Sequence, residues 1–318
     1  MSVFQQPMGS WYSRWLRSPV ISGWSSLQKT NVISIVIITR NEGAELEATV
    51  RNLLATASQA RLEMIVVDDG STDASTEFLK SFPDIRVIRS EGIGVARARN
   101  LGATHASGDV IVFSDAHVRA PENWHVPMIE AFELDDVGAC APGVYSTLEP
   151  KRRGYGLYFT GADLRSHWHR KYSDEPAEVA ILPGCFLGMR RDVFKETGGY
   201  DPGMRQLGGN DNELSFRLWT LGYRLVVVPK IEVGHLFRTT IPYEATWSAA
   251  VHNRLRMAMV HFAPQRIERV VDALRRYDRF PAGIAMMAGE DHTERRTIIE
   301  RRRRFDDDWY FDIFDLTC

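Results

Sequence analysis

The sequence predicts an α/β protein: a Rossmann-like, mostly parallel central sheet with helices on both faces, followed by a helical C-terminal extension. Three observations predict it. Short β-branched apolar runs recur through the first half of the chain. They are apolar on both faces, the mark of strands covered by helices on either side. Between them lie stretches of helical periodicity, long enough for right-handed βαβ crossovers.

Val32–Thr39 (VISIVIIT) is the first such strand, and Ala44–Ala57 follows with Leu46, Val50, Leu53 and Leu54 at helical spacing. Leu62–Val67 is the second strand and Ser75–Ser81 a short helix. Ile85–Ile88, Val110–Phe113 and Val137–Ala141 continue the strand series, with helices over Val95–Ala106 and, behind Pro121, over Trp124–Phe132. Proline suits the first turn of a helix because its missing N–H has no partner there anyway. Pro142–Ala180 reads as loop with short strands. Asp211–Leu221 is an amphipathic helix with Leu214, Leu218 and Leu221 inward, stopped by Gly222. Leu225–Val228 is a further strand. Helices are expected over Tyr243–Phe262 and, past a break at Pro264, Ile267–Tyr277. Residues 1–31 form an N-terminal extension, 32–240 the sheet domain and 241–318 a helical appendage packed on it.

Composition narrows the function. The 318 residues carry 39 Lys+Arg against 41 Asp+Glu, a net charge of −2. A nucleic-acid binder would show a basic excess. The chain is 44% hydrophobic and 25% charged, ordinary globular usage rather than that of a disordered chain. Three scattered cysteines (Cys140, Cys185, Cys318) make no disulfide framework and suit a reducing, cytoplasmic setting. No run approaches the ~18 apolar residues of a membrane span, and residues 1–31 lack the apolar core of a signal peptide.

Three polar clusters follow strands: Thr39-Arg40-Asn41-Glu42, Asp68 to Asp73 (DDGSTD) and Asp115-Ala116-His117. In a parallel sheet these ends share one edge, where ligands bind. Asp-x-His offers an oxygen and a nitrogen on one turn, a set that suits Mn²⁺ better than an all-oxygen Mg²⁺ cage, and such an ion would neutralise a diphosphate. The residues alone leave other readings open. DDGSTD is also a good turn and helix cap. Gly-x-Gly-x-x-Gly is absent after the first strand, which disfavours a dinucleotide. Gly208 to Glu213 (GGNDNE) opens a helix, where a carboxylate is stabilised by the free N–H groups and the dipole, but an Asp there is also an ordinary cap. His167 and His169 are read as an acceptor-side loop or plain surface. Arg301 to Arg304 is read as a solvated face paired with Asp306 to Asp308.

VISIVIITRNE, IVVDDGSTD and GVARARNLGATHASGDVIVFSDAH, in this order, resemble the GT-A-fold glycosyltransferases of the family 2 type. ILPGCFLGMRRDVFKETGGYDPGM, GGNDNELSFRLWTLGYRLVVVP and VGHLFR extend the resemblance, also toward the catalytic domain of polypeptide N-acetylgalactosaminyltransferases. It covers about Val32–Arg238. It implies a metal-dependent glycosyltransferase, moving a sugar from a UDP-sugar to a hydroxyl of a peptide, glycan or small metabolite. Thr39 and Asn41 would flank the uracil and Asp69 would accept its N3–H. Arg40, Glu42, Ser114 and Gly184 would join the nucleotide-sugar site. Asp115, His117 and His235 would hold Mn²⁺ or Mg²⁺. Arg97 and Arg99 would brace the metal-binding turn or the diphosphate, and Arg238 would contact the diphosphate. Asp211 would be the general base of an inverting transfer, with Glu213 as fallback. Asn210 departs from the family's acidic residue, which leaves a retaining enzyme or a catalytically impaired nucleotide-sugar-binding protein as alternatives. A nucleotidyltransferase would need a Gly-rich phosphate loop that TRNEGAEL does not provide.

Overall fold

Val32–Thr39 (β1) is buried along nearly its whole length, so it must lie inside a sheet rather than at an edge. The computed structural model, which describes residues 32–57, 59–171, 173–243 and 245–317, places it there. The expected N-terminal extension, residues 1–31, lies outside the described residues. β1 pairs in parallel with β2 (Arg61–Asp69) on one side and β4 (Val110–Asp115) on the other; β3 (Arg86–Ser90) closes that edge beside β2. The crossovers carry α1 (Ala44–Thr56), a short 3-10 helix (Glu77–Ser81) and α2 (Val95–Thr104). Period-two alternation splits β1 between two cores: Ile35 and Ile37 join Leu46, Val50 and Trp124, while Val36 joins Ile65, Phe113 and Leu214.

The second half of the sheet departs from the expected strand series. β6 (Val137–Ser146) does not follow β4 across the sheet. β11 (Phe186–Arg190) lies between them, antiparallel to both, and β12 (Arg224–His235) then pairs in parallel with β6. The sheet is therefore mixed, in the order β10-β12-β6-β11-β4-β1-β2-β3, with β10 spanning Ala177–Glu178. Sequence periodicity does not assign β11, because five residues with a central glycine show no period. β5 (Val118–Arg119) pairs with the end of β12. β6 runs on to Ser146, past the expected end at Ala141, and residues 147–180 are then loops and short strands, as expected, including β7 (Arg153–Gly154), β8 (Leu157–Phe159) and β9 (Ser166–Trp168). α3 (His125–Ala131) and α4 (Arg191–Thr197) cover the sheet.

α5 (Asn210–Leu221) ends at Gly222 in the left-handed region, and Leu214, Leu218 and Leu221 face inward. It is not amphipathic in the fold. Its other face, including Glu213 and Arg217, is also buried. What covers it is the C-terminal region: α6 (Trp247–His261), α7 (Pro264–Leu274), α8 (Phe280–Ala285), α9 (His292–Glu300) and α10 (Asp307–Ile313). The expected break falls between α6 and α7, with Pro264 as the first residue of α7. In the Arg301 to Arg304 run Arg301, Arg302 and Arg304 are exposed, as a solvated face requires, while Arg303 is half-buried. Arg296 donates to the carbonyls of Met259 (3.0 Å) and Phe262 (2.8 Å), and Arg303 to that of His261 (3.1 Å), closing the free end of α6. Asp307 and Asp308 pair instead with Arg266. Among the described residues no helix is long and apolar enough to cross a membrane.

Candidate functional site

Because β1, β2 and β4 run in parallel, the three polar clusters at their ends arrive at the same edge. A fourth contributor comes from far along the chain. The ladder between β12 and β5 sets His235 opposite Val118, next to His117. The result is a cleft of about 410 Å³, walled by Thr39, Arg40, Glu42, Asp69, Asp115, His117, Asp211, His235 and Arg238 among others.

At one end of the cleft Asp115, His117 and His235 each offer a ligand atom, all within 4.8 Å of one another. His235 Nε2 is 3.3 Å from Asp115 Oδ2, and its Nδ1 is buried without a partner. The two imidazoles stand 4.7 Å apart. One carboxylate oxygen and two imidazole nitrogens suit a borderline divalent cation, so this donor set fits Mn²⁺. Behind it, Glu42 Oε2 faces His117 Nδ1 at 3.1 Å and takes Arg238 Nη2 at 2.7 Å. Glu42 thus engages Nδ1 of His117, and Nε2 is the ring nitrogen it leaves unengaged. Burial opposes a charge on Asp115, but His235, Arg99 and His117 outweigh it and hold the carboxyl well below the usual range. Burial also disfavours a protonated His117, yet Glu42 and Asp115 prevail and raise its pKa.

Arg99 is the hub. Its side chain is 3% exposed. Nη2 donates to Asp115 Oδ1 (3.0 Å) and Gly184 O (2.7 Å), and Nη1 to Asp211 Oδ1 (2.9 Å), while the guanidinium lies over the Tyr200 ring. One buried cation therefore fixes the spacing of two carboxylates from strands and helices 96 residues apart in sequence (211 − 115). Gly184 packs against Asp211 so tightly that a Cβ would fall 1.9 Å from Oδ1. Burial raises the Asp211 pKa, and Arg99 only partly offsets it. Asp211 keeps about a third of its side chain open to the cleft.

At the other end Asp69 anchors the turn after β3. Ser90 Oγ and the Ile93 amide donate to its Oδ1, both at 2.7 Å, and the Gly94 amide to Oδ2 at 2.8 Å. Oδ2 retains an acceptor position, since a carboxylate oxygen takes two hydrogen bonds. Thr39 Oγ1, also in the wall, is buried with no partner.

Several expected site residues are elsewhere. Glu213 is buried beneath the cleft, where Arg217 (2.7 Å) and His261 (3.0 Å) bind it and hold its pKa far below normal against the effect of burial. A carboxylate so enclosed cannot reach an acceptor. Arg97 points outward and donates to Pro202 O at 2.7 Å. Ser114 is wholly buried, its hydroxyl donating to Asp115 O. Asn41 Oδ1 accepts the Thr72 amide at 2.7 Å, so it ties two loops together outside the wall. His167 on β9 and His169 just beyond it flank the Tyr158 ring of β8, and neither belongs to the Asp115–His117–His235 cluster. The sequence reading also missed cleft residues: Ile241, Pro242 and Tyr243 line it, with the Tyr243 ring beneath the Arg40 guanidinium. Tyr243 fell inside the expected helix over Tyr243–Phe262, and Ile241 and Pro242 at the start of the expected helical appendage. Pro242 and Thr246 were the signal that the helix begins later, at Trp247.

The sequence profile described as "Glycosyl transferase family 2" matches residues 34–198, and that described as "N-terminal domain of galactosyltransferase" matches residues 165–240. The chain is 27% identical over 289 residues to polypeptide N-acetylgalactosaminyltransferase 10 of Homo sapiens, covering 84% of this chain and 48% of that protein. It is 32% identical over 252 residues to polypeptide N-acetylgalactosaminyltransferase 11 of Xenopus tropicalis, covering 71% and 42%. It spans about half the length of the curated relatives it matches. Among solved structures, GalNAc-T7 with UDP, GalNAc and Mn²⁺ matches with a TM-score of 0.75 at 22% identity, over 90% of this chain and 56% of the other. The mannosyltransferase of Pyrobaculum calidifontis with GDP-Man and Mn²⁺ matches at 0.51 and 16%, over 96% and 92%. Both likenesses establish the GT-A-like fold. With the profile match extending over more than half of the sequence, the chain belongs to glycosyl transferase family 2.

Proposed function

We propose that this chain is a metal-dependent glycosyltransferase that moves a sugar from a UDP-sugar to an acceptor hydroxyl with inversion. The observation that carries it is the placement of Asp211 in the same cleft as the Asp115–His117–His235 cluster, joined to it through Arg99. Asp115, His117 and His235 would hold Mn²⁺, which when bound stabilises the charge developing on a departing diphosphate. Every other task falls to the chain itself. Asp69, with its remaining acceptor position, takes the uracil N3–H, and Thr39 Oγ1 is free to meet the nucleoside. Arg99 holds Asp211 in place. Asp211, made more basic by burial, takes the proton of the attacking hydroxyl. The acceptor is a hydroxyl of a peptide side chain, a glycan or a small molecule. Asn210 does not remove the base, because its neighbour Asp211 carries the carboxylate. The free thiols of Cys140 and Cys185 support a reducing, cytoplasmic setting. Screening UDP-sugars for hydrolysis in the presence of Mn²⁺ tests the proposal; no release of UDP from any of them would overturn it.

Two smaller effects belong to the same reading. Asp69→Asn turns an acceptor into a donor at the uracil edge. The preference for UDP over CDP is expected to fall at least about 10-fold, the worth of a hydrogen bond to a charged group. Competitive displacement measures it, and an unchanged preference places base recognition elsewhere. Glu42→Ala releases the ring of His117. Removing such an outer partner typically lowers metal affinity about 10–100-fold, and Mn²⁺ titration calorimetry reads this without any turnover.

A further inference from the structure

The loop from Asp201 to Gly209 forms the cleft wall beside Asp211, through Gln206, Leu207 and Gly208. It has little means of holding its own shape. Gln206, Gly208 and Gly209 all have positive φ (41°, 94° and 80°), and no strand or helix runs through it. Beyond a short turn (Met204 N–H to Asp201 O, 3.1 Å) and two bonds from α2 (Val95 N–H to Gln206 O, 3.3 Å; Arg97 Nε to Pro202 O, 2.7 Å), its backbone is held from α6, some 48 residues downstream. Asn253, fully buried, accepts the Arg205 amide on Oδ1 at 2.7 Å and donates Nδ2 to the carbonyls of Arg205 (2.8 Å) and Gly208 (2.6 Å). One carboxamide thus satisfies three backbone groups, as a neighbouring strand would. Its orientation is fixed in turn: His252 Nδ1 lies 2.9 Å from Asn253 Oδ1, and His252 Nε2 lies 2.9 Å from Glu290 Oε2. Glu290 also binds the Arg205 side chain. One turn along α6, Arg256 grips Asp201 with two bonds (2.8 and 2.9 Å) at the start of the loop.

We infer that the C-terminal helices belong to the working site, with Asn253 the positioning residue that clamps the 201–209 loop and so sets Asp211 against the cleft. Neither matching family profile reaches these helices, since the matches end at residue 240. The inference rests on the proposed function only for its effect on turnover; the clamp itself is a property of the free protein.

The test is hydrogen exchange on the whole chain, read at the 201–209 amides, with Asn253→Ala, with Asn253→Asp, which keeps size but loses the donor, and with Arg266→Ala as control. Arg266 pairs with Asp307 in the same C-terminal helices, away from the loop. Loop protection is expected to fall about 10-fold or more in the Asn253 variants, and to hold in the control at a comparable loss of thermal stability. UDP-sugar hydrolysis should drop about 10–100-fold, as displaced catalytic groups do, with calorimetric UDP affinity near wild type. Retained loop protection in both Asn253 variants, or equal loosening by Arg266→Ala, would overturn the clamp. A wild-type protein that hydrolyses no UDP-sugar, while the exchange result holds, supports the clamp and defeats the donor reading alone.

Discussion

Asp211→Asn is expected to lower turnover by ~10²-fold or more, because a positioned base contributes ~10²–10⁴-fold to proton transfer. A hydroxyl attacking an anomeric carbon must shed its proton as it bonds. Asp115, His117 and His235 sit at the metal end, Asp69 is engaged by the turn after β3, and Glu213 is sealed beneath the cleft. Asp211 alone among these carboxylates combines exposure to the cleft with a raised pKa. Asparagine keeps its shape and its contact with Arg99. Donor binding should therefore stay near wild type while kcat falls, the signature of an interaction made in the transition state. Near-normal kcat would exclude Asp211 as the base. A product with the donor's own anomeric configuration would exclude inversion itself.

His117→Ala is expected to weaken Mn²⁺-dependent UDP binding by more than the about 10–100-fold typical of an outer-shell change. The variant removes one of three donors and leaves Glu42 and Arg238 paired with each other, so the local fold should persist. Calorimetry of UDP with and without Mn²⁺ separates the metal's share from the protein's. Equal affinities in variant and wild type, each with Mn²⁺, would remove His117 from the metal site. The neighbouring carboxylate makes a poorer test, because Asp115→Ala would also leave Arg99 buried with one partner fewer, at about 3–5 kcal/mol for a broken buried pair.

The parallel half of the fold was legible because its signal is local. VISIVIIT, LEMIVV and VIVF are strands on any reading of β-branched apolar runs, and the helices between them show their period. The same locality exposed Asp69, Asp115 and His117, each at the end of such a strand. β11 escaped because FLGMR has no β-branched residue and a glycine at its centre, and Ile241 to Tyr243 because the helical pattern that follows them does not mark its own start. Arg97 and Arg99 sit two apart on α2, and nothing local says which is buried. A helix turns about 100° per residue, so the two point to widely different sides. The packing of α5 and Tyr200 selected Arg99 as the hub and left Arg97 to solvent.

Sequence alone determined the α/β class, the order of the first strands, and the residues Asp115, His117, His235 and Asp211 as those most worth finding together. Tertiary structure decided what each carboxylate is free to do. Glu213 and Asp211 lie two residues apart at the same helix start, and a linear reading ranks them as neighbours. Two residues along a helix is more than half a turn. One side chain therefore enters a buried cage of Arg217 and His261, and the other faces the cleft beside Arg99. Charge on a buried acid is set by the cations packed around it, and those come from segments that only folding brings near.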